Sequence, residues 1–459
     1  MKQRIVPLIH YFFPDLAPEE IKKFGLLSLI FFLIIGSAWL LRLLKYTIFL
    51  KVAFPTCLGW PDQQGCLFQS IAKSWSPLVV LVMVLLYSKL VDLVKRHQLF
   101  YVICAFYATQ FAIYAGILWA KDTYGAQALG KEVLALLGWF SYFSIESFAS
   151  LAVALFWSFT NSITDTNGAK RGFPLLVAMA QLSAILGSGT MFFSGSIGAL
   201  WPIVALASIL IMSVIPLVYY FVKQVQLPAE QPVADTFLEG FIAGITLLFT
   251  RPYLLGILLI STIYEALYQI VEYQMQAYAS MSDLYHSEIA FAQFQGLYGI
   301  GINSLSFAIA LMGTGYIFKR LGVRMSLLIY PIVFALIMLG LLGFFMLNPT
   351  THTLLWAIVG AMTLLKGIGF AINNPTKEIM YIPTSTDAKF KTKGWIDTFG
   401  SRFSELGGAH VTNMFKHNIG ELMIYGSLVS FGLIGVWLAA ALFVGYKNQQ
   451  LVQRGMIVS

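Results

Sequence analysis

Charged residues are what this sequence has least of. Only 11% of its 459 residues are Asp, Glu, Lys or Arg, whereas 58% are hydrophobic and the mean hydropathy is +0.77. Soluble domains carry about 25% charged residues, so this composition excludes an ordinary soluble protein. Apolar runs of about 20 residues recur along the whole chain, and each is long enough to cross a bilayer as a helix. The sequence therefore predicts an all-α membrane protein.

The sequence also lacks the motifs of several kinds of catalytic and metal site. It contains no Gly-x-x-x-x-Gly-Lys-Ser/Thr, no His-Glu-x-x-His and no Gly-x-Ser-x-Gly. These patterns mark phosphate-binding loops, zinc proteases and serine hydrolases, respectively. Cys and His residues show no metal-ligand spacing either. We therefore expect no enzyme, no cofactor and no metal site.

Cysteine is scarce as well, with three residues in the chain. Cys104 lies inside an apolar run, where packing accounts for it. Cys57 and Cys66 share one polar loop, and they could pair if that loop faces an oxidising compartment. From the sequence, a disulfide and two free thiols both remain open.

The apolar runs predict about twelve transmembrane helices in two six-helix bundles. The most polar long connector, residues 223–239, separates the halves and gives predicted domains of residues 1–227 and 228–459. Two sets of six helices are the architecture of the major facilitator superfamily, whose halves rock around a site near the middle of the membrane. This step is an analogy, because the sequence shows no clear internal repeat. The predicted spans are residues 24–44, 76–94, 99–120, 134–159, 173–193, 200–222, 254–275, 289–317, 325–346, 354–372, 395–415 and 422–444.

Basic residues alternate between the loops. They are concentrated in every second loop, for example at Lys95-Arg96 and Lys319-Arg320, and the intervening loops are poorer in them. Because loops rich in Lys and Arg stay on the cytoplasmic side, both termini and the basic segment 377–393 are predicted to be cytoplasmic. The same rule accounts for the net charge of +8, which therefore does not indicate a nucleic-acid partner.

Several charged side chains fall inside or at the ends of the apolar runs. A charge at membrane depth is costly and usually marks a functional site. Glu265 and Glu272 are seven residues apart in the seventh span and share one helical face. The full set is Arg42 and Lys45 at the end of the first span, Glu146 in the fourth, Glu265 and Glu272 in the seventh, Lys366 in the tenth, and Asp397, Arg402 and Glu405 in the eleventh.

These charges support two interpretations. In the structural one, each pairs with a neighbour or its side chain extends to the membrane surface, which is the expectation for Glu272. In the functional one, cations line a central cavity and bind phosphates, and Glu146 and Glu265 neutralise them until substrate displaces the carboxylates. The cations of this interpretation are Arg42, Lys45, Lys366 and Lys393. The aromatic residues that could stack on a base, or else simply pack between helices, are Tyr46, Trp157, Tyr264 and Tyr268.

The most specific motif lies between Asn373 and Arg402. It reads Pro375-Thr376-Lys377-Glu378-Ile379-Met380-Tyr381-Ile382-Pro383, followed by Lys393-Gly394-Trp395-Ile396-Asp397 and later by Gly407-Gly408. This segment resembles the signature of the ATP/ADP translocases of plastids and obligate intracellular bacteria. Two further stretches are similar to the same family, namely Leu41-Arg42-Leu43-Leu44-Lys45-Tyr46-Thr47 and Leu155-Phe156-Trp157-Ser158-Phe159-Thr160-Asn161.

The resemblance implies a twelve-helix nucleotide transporter that exchanges ATP for ADP. It places the family's functional lysines on Lys45 and Lys393 and its glutamates on Glu146 and Glu265. From the motif itself, Lys377, Asp397 and Arg402 join the candidate substrate-binding residues. The sequence departs from the family pattern at Tyr46, Asn374, Thr392 and Glu405, and Glu405 replaces a lysine. These departures alter the charge around the predicted site.

The predicted function is a nucleotide antiporter that works by alternating access. Its expected partners are a nucleotide (ATP, ADP or a related one) and the lipid bilayer, and a monomer is expected. No transit-like N-terminal extension is seen, which favours a bacterial inner membrane over a plastid one. One alternative is a major-facilitator carrier for another phosphorylated or organic anion. Another is a membrane-embedded enzyme acting on lipid-linked phosphates, for which the sequence offers no acid, base or metal cluster.

Overall fold

The chain is described from a computed structural model that covers residues 18–164, 166–225, 246–369, 373–381, 383–385, 392, 395–396 and 400–454. Every long element in these residues is a helix, as the hydropathy predicts. In the first half the helices are α1 (Pro18–Thr47), α2 (Gln64–Leu93), α3 (Arg96–Tyr124), α4 (Ala126–Ser162), α5 (Thr166–Phe192) and α6 (Trp201–Gln224). A π-helical turn, Ile48–Val52, extends α1.

The described residues of the second half form six further α-helices. They are α7 (Pro252–Met281), α8 (Glu288–Met346), α9 (Thr351–Ile368), α10 (Asn374–Met380), α11 (Ser401–Met414) and α12 (Ile419–Arg454). Pro252 stands in the first turn of α7, where its missing N–H would have no helical partner in any case. Thr350 caps α9 by accepting a hydrogen bond from the backbone N–H of Thr353.

Glycine shapes the connection between α3 and α4. Gly125 follows α3 with φ of 85°, and Gly130 interrupts the first turns of α4 with φ of 81°. Side-chain-bearing residues rarely adopt such angles. The two glycines therefore let the chain reverse in a single residue and then bend before the long apolar part of α4 begins.

Ten helices in the described residues are long and apolar enough to cross a membrane, compared with about twelve predicted spans. The predicted loop between spans 289–317 and 325–346 is helical, and both lie within the 59-residue α8. That loop contains no proline that would break a helix. The predicted eleventh span, 395–415, is described as an element only from Ser401 onward, in α11. The protein is thus an all-α, multi-pass membrane protein.

The described helices divide into two compact units. The first unit comprises Met1–Gly65, Leu78–Gln231 and Leu284–Asn303, and the second comprises Cys66–Pro77, Pro232–Asp283 and Ser304–Ser459. The start of α2 therefore belongs to the second unit, and the start of α8 to the first. Within α2 the division falls at Pro77, a residue that removes one helical hydrogen bond. The domain boundary at residues 227 and 228 remains a prediction.

Each unit is built around its own central helix. In the first unit α1 packs against α4, α5 and α6, and in the second α7 packs against α9, α10, α11 and α12. On α7, the Tyr253 hydroxyl donates to the carbonyl oxygen of Met380 at 2.6 Å and accepts from Asn448 Nδ2 at 2.8 Å. These bonds connect α7 to α10 and α12, so the central helix positions the elements that carry charged residues.

Gly408, the second glycine of the Gly-Gly pair, has a packing role in the second unit. A Cβ atom on Gly408 would collide with the carbonyl oxygen of Ala266 on α7. Only glycine allows the backbones of α7 and α11 to approach this closely. Gly408 thus keeps the part of α11 that carries Glu405, one turn earlier, and Arg402, nearly two turns earlier, close to the central helix.

Candidate functional site

The first unit contains one fully buried ion pair. Lys45 Nζ on α1 lies 2.5 Å from Glu146 Oε1 on α4, and the two side chains are only 3% and 9% exposed. The lysine also lies over the rings of Tyr46 and Tyr142, at 4.3 and 4.6 Å from their centroids. An unpaired charge would be very costly at this depth. The functional interpretation expected Glu146 to neutralise a cation, and the structure pairs it with Lys45.

Two serines of α4, Ser144 and Ser147, lie next to Glu146 and form hydrogen bonds with α3. Tyr107 on α3 donates to Ser147 at 2.8 Å, and the hydroxyls of Tyr114 and Ser144 are 3.0 Å apart. These hydroxyl pairs connect α3 to α4 on either side of the glutamate. They satisfy polar groups that would otherwise be buried without partners, and they hold the helix that presents Glu146 in a defined position.

Arg42 lies one turn before Lys45 on the same side of α1. Its guanidinium is 5.5 Å from the ring of Trp39, and the residue is half-buried rather than enclosed. Arg42 and Lys45 are therefore not equivalent. The lysine is held by a carboxylate in the interior, whereas the arginine is more accessible to solvent or to a ligand.

In the second unit, two lysines face aromatic rings of α7. Lys366 Nζ on α9 is 3.5 Å from the ring centroid of Tyr268. Lys377 on α10 is 4.6 Å from the ring of Tyr264, and its Nζ donates to the hydroxyl of Tyr264 at 3.5 Å, which is long for a hydrogen bond. Tyr264 and Tyr268 are one helical turn apart, so α7 offers both lysines one continuous aromatic face.

A second charged group in this unit joins α2 to α11. Lys73 Nζ lies 2.8 Å from Glu405 Oε2, and Arg402 Nη1 lies 3.3 Å from the same oxygen. Lys73 is 5% exposed. Lys73 was not among the predicted site residues, because the predicted span begins at residue 76, whereas α2 begins at Gln64. The apolar residues Leu67, Phe68, Ile71 and Ala72 were the signal that could have extended the helix.

Two glutamates of α7 have different surroundings. Glu265 lies close enough to act electrostatically on the hydroxyls of Tyr264 and Tyr330, which places it beside the Lys377 group. Glu272 is 4% exposed and therefore buried. The expectation that Glu272 extends to the membrane surface is wrong, because polar residues such as Gln269 and Gln276 are buried along the same part of α7.

The predicted aromatic residues have two kinds of neighbour. Tyr46, Tyr264 and Tyr268 face the lysines described above. Trp157 packs against Phe31, Phe156 and Phe173, with ring centroids 5.2 to 5.7 Å apart, so it belongs to the apolar core. Three of the four candidates are therefore placed beside cations.

The remaining predictions concern Lys393 and Asp397, the two loop cysteines and a metal site. Lys393 and Asp397 lie outside the described residues, so their roles stay predictions. Cys57 and Cys66 form no disulfide, and Cys57 is exposed whereas Cys66 is buried near the hydroxyl of Tyr273. Within the described part of the chain, no group of three or more His, Cys, Asp or Glu residues could hold a metal ion.

Each unit contains lysine and arginine side chains that can bind phosphate oxygens. Lysine offers a point charge with three donors, and arginine offers a planar fork that can contact two oxygens at once. Rings beside the cations add surfaces on which a base can stack. Recognition of an organic polyanion therefore fits both groups of residues.

Comparison with known proteins agrees with this chemistry. The family model described as TLC ATP/ADP transporter matches residues 1–447. The "ADP,ATP carrier protein 2, chloroplastic" of Arabidopsis thaliana is 25% identical over 416 residues, covering 80% of this chain and 67% of that protein. The "ADP,ATP carrier protein 1" of Rickettsia typhi (strain ATCC VR-144 / Wilmington) is 23% identical over 429 residues, covering 82% and 85%.

Solved structures with a similar fold are membrane transporters. The nucleoside transporter NupG aligns with a TM-score of 0.58 at 16% identity, covering 91% of this chain and 98% of that one. A bacterial homologue of the iron transporter ferroportin, in an inward-facing state, aligns with a TM-score of 0.61 at 12% identity, covering 92% and 99%. At these identities the likeness concerns the fold, and it supports the major-facilitator-like architecture predicted from the helix pattern.

Proposed function

Because this chain belongs to the TLC ATP/ADP transporter family, we propose that it is a nucleotide antiporter that exchanges ATP and ADP across a membrane by alternating access. Relatives named ADP,ATP carrier proteins in a plant and in an intracellular bacterium support this assignment. The cation groups of both units suit the phosphates of such substrates. No step in this function requires the protein to make or break a covalent bond.

The observation that carries the proposal is the buried pair between Lys45 and Glu146. A phosphate that replaces the carboxylate gives Lys45 a new partner and releases Glu146, so the loaded and empty forms differ in their contacts. Only such a differential interaction lets a ligand shift a conformational equilibrium. In the empty protein the two charges neutralise each other, so Lys45 is not left as an uncompensated buried charge. Exchange, rather than one-way transport, is expected where the change of state requires a substrate phosphate to replace the carboxylate.

The other predicted residues receive roles from their neighbours. Arg42, Lys366, Lys377 and Arg402 supply further cations for phosphate, and Glu265 neutralises the group around Tyr264 when no substrate is bound. Lys393 and Asp397 are proposed as substrate-binding residues from the motif alone. Tyr264 and Tyr268 offer stacking surfaces for the base as well as for the lysines.

We also propose that the protein acts as a monomer in a bacterial inner membrane with both termini in the cytoplasm. The alternating basic loops support that orientation. A reporter that is active only in the cytoplasm, fused after Ser459, should be active. Light scattering of the purified protein measures the oligomeric state, and a dimer would contradict the monomer.

A counter-transport assay tests the function directly. Proteoliposomes are loaded with unlabelled ADP, ATP, another nucleotide or no nucleotide, and the entry of labelled ATP and ADP is followed. We expect rapid uptake only with internal ATP or ADP. Uptake into empty vesicles would indicate uniport or symport. If no nucleotide enters while a sugar phosphate or another organic anion does, the protein is a carrier for that anion instead.

A further inference from the structure

Glu405 lies between two cations in the second unit. The same carboxylate oxygen, Oε2, is 2.8 Å from Lys73 Nζ and 3.3 Å from Arg402 Nη1. The three side chains are 18%, 6% and 21% exposed for Glu405, Lys73 and Arg402, respectively. The attraction between these two cations and the shared carboxylate oxygen is stronger than that of an isolated surface pair, because none of the three side chains is fully hydrated.

The backbone of α2 places Lys73 beside this carboxylate. Ser70, one turn earlier on the same face, donates to Asn413 Oδ1 on α11 at 3.2 Å. Ser74 donates to the carbonyl oxygen of Ser70 at 2.9 Å. Two interactions thus connect α2 to α11, the hydrogen bond between Ser70 and Asn413 and the ion pair between Lys73 and Glu405. Together they fix the position of Lys73.

Glu405 also belongs to the electrostatic surroundings of the phosphate-binding lysines. Its charge acts on the hydroxyl of Tyr264, and that hydroxyl accepts from Lys377 Nζ at 3.5 Å. A negative charge here reduces the positive potential that a phosphate chain meets. The reduction is larger for a ligand with more negative charges, because the repulsion scales with the charge of the ligand.

We propose that Glu405 is a specificity-determining residue that limits how many phosphate charges the second unit accepts, and that Lys73 is the residue that positions and partly neutralises it. This inference rests on the proposed function. A nucleoside triphosphate carries about one negative charge more than the diphosphate at neutral pH. At a separation of about 10 Å and an effective dielectric constant of about 20 to 80, one extra charge changes affinity roughly twofold to fifteenfold. Glu405 thus shifts the balance of the site toward the diphosphate.

The test compares substrate preference rather than total activity. Vesicles loaded with ADP take up labelled ADP, and the concentrations of ATP, ADP, AMP and inorganic phosphate that halve the uptake are measured. Glu405→Gln should raise the preference for ATP over ADP about threefold to tenfold. Lys73→Met should shift it in the opposite direction, since Glu405 then has one cation fewer. The matched control is Glu421→Gln, at an exposed carboxylate that accepts from Asn418, and it should leave the preference unchanged.

Two further variants separate charge from structure. Glu405→Asp keeps the carboxylate and should keep the wild-type preference, even if the shorter side chain slows transport. The double exchange Lys73→Glu with Glu405→Lys keeps the local charge and should do the same. If Glu405→Gln folds and transports with the wild-type ATP to ADP ratio, or if Glu405→Asp changes that ratio as much as Glu405→Gln does, the inference is wrong. Wild-type protein that transports no nucleotide would defeat the proposed function itself, and this inference with it.

Discussion

The two units surround the cations of their helices in different ways. In the first unit Lys45 has a glutamate of its own at 2.5 Å, and both side chains are almost fully enclosed. In the second unit Lys366 and Lys377 lie over tyrosine rings, and Lys73 and Arg402 share one oxygen of Glu405. The first unit thus holds Lys45 in a closed pair with Glu146, whereas the second unit places its cations over aromatic rings or around one shared carboxylate oxygen.

Because of this difference, we expect the free-energy cost of replacing existing contacts by a phosphate to differ between the two units. In the first unit a strong charge–charge contact has to be exchanged for another, so binding and rearrangement are coupled. A cation over a ring gains about 0.5 to 2 kcal/mol from that contact and keeps donors that a phosphate can accept from. The second unit is therefore expected to contribute mainly affinity, and the first mainly the coupling between binding and the change of state.

The largest effect is expected from breaking the closed pair. Lys45→Met leaves Glu146 buried without its cation, and removing one partner of a buried pair typically costs about 3 to 5 kcal/mol. We expect a marked loss of thermal stability in detergent and complete loss of nucleotide exchange in proteoliposomes. Both quantities are measured on the same preparation, so unfolding and loss of function can be told apart.

The double variant Lys45→Met with Glu146→Gln is the control for this prediction. Neutralising both members removes the uncompensated charge, so stability should return toward that of the wild type while exchange stays absent. A double variant that exchanges nucleotides at the wild-type rate would show that Lys45 only maintains the fold. The role proposed for the first unit would then have to be abandoned.

A smaller effect on stability, with a clear effect on affinity, is expected in the second unit. Lys366→Met removes a cation that lies over the ring of Tyr268, and the loss of this contact leaves no unpaired charge on the tyrosine. The unfolding temperature should change little. Loss of one charge-assisted hydrogen bond to phosphate, worth about 1.5 to 3 kcal/mol, should raise the half-saturating nucleotide concentration by about tenfold or more.

The matched control for Lys366 is Lys447→Met, at an exposed lysine of α12. It removes the same charge from the same unit and should leave the half-saturating concentration unchanged. Equal shifts in both variants would mean that the net charge of the protein, and not a local contact, attracts the nucleotide. A large drop in stability for Lys366→Met would remove the contrast between the two units.

Part of this arrangement of charges could be predicted from the sequence, because few charged side chains are tolerated at membrane depth. Glu146 inside the fourth apolar run and Lys45 at the end of the first could be predicted as candidate site residues, since an unpaired charge at membrane depth is costly. The helices could be predicted from the apolar runs of about 20 residues, each long enough to cross a bilayer. The pairing itself required the fold, because the two residues are 101 positions apart and no local pattern connects them.

The residues that were missed lie where polar and apolar signals are mixed. Gln64, Gln69 and Ser70 lower the hydropathy at the start of α2, so the helix was placed too late and Lys73 was assigned to a loop. Ser70 bonds to Asn413 inside the protein, so hydropathy alone underestimates the helix. Glu272 was misplaced because its position near the end of a predicted span was taken to let its side chain reach the membrane surface, whereas the residue is buried.

The smallest effect is expected from an ion pair of the first unit that resembles the closed pair in chemistry but not in burial. Lys121 Nζ lies 2.7 and 2.5 Å from the two carboxylate oxygens of Glu288 and 3.2 Å from Asp122 Oδ1. These side chains are 14%, 23% and 28% exposed. Glu288→Gln leaves Lys121 with Asp122 and with access to water, so the loss of stability should be about 1 kcal/mol or less.

Salt distinguishes this pair from the one between Lys45 and Glu146. Exposed charges are screened by ions, whereas enclosed ones are screened much less. The small stability difference of Glu288→Gln should therefore disappear in thermal unfolding at high salt, while that of Lys45→Met persists, and exchange by Glu288→Gln should match the wild type. A salt-independent loss as large as that of Lys45→Met would mean that pairing with a carboxylate, and not enclosure, decides what a charge contributes in this unit.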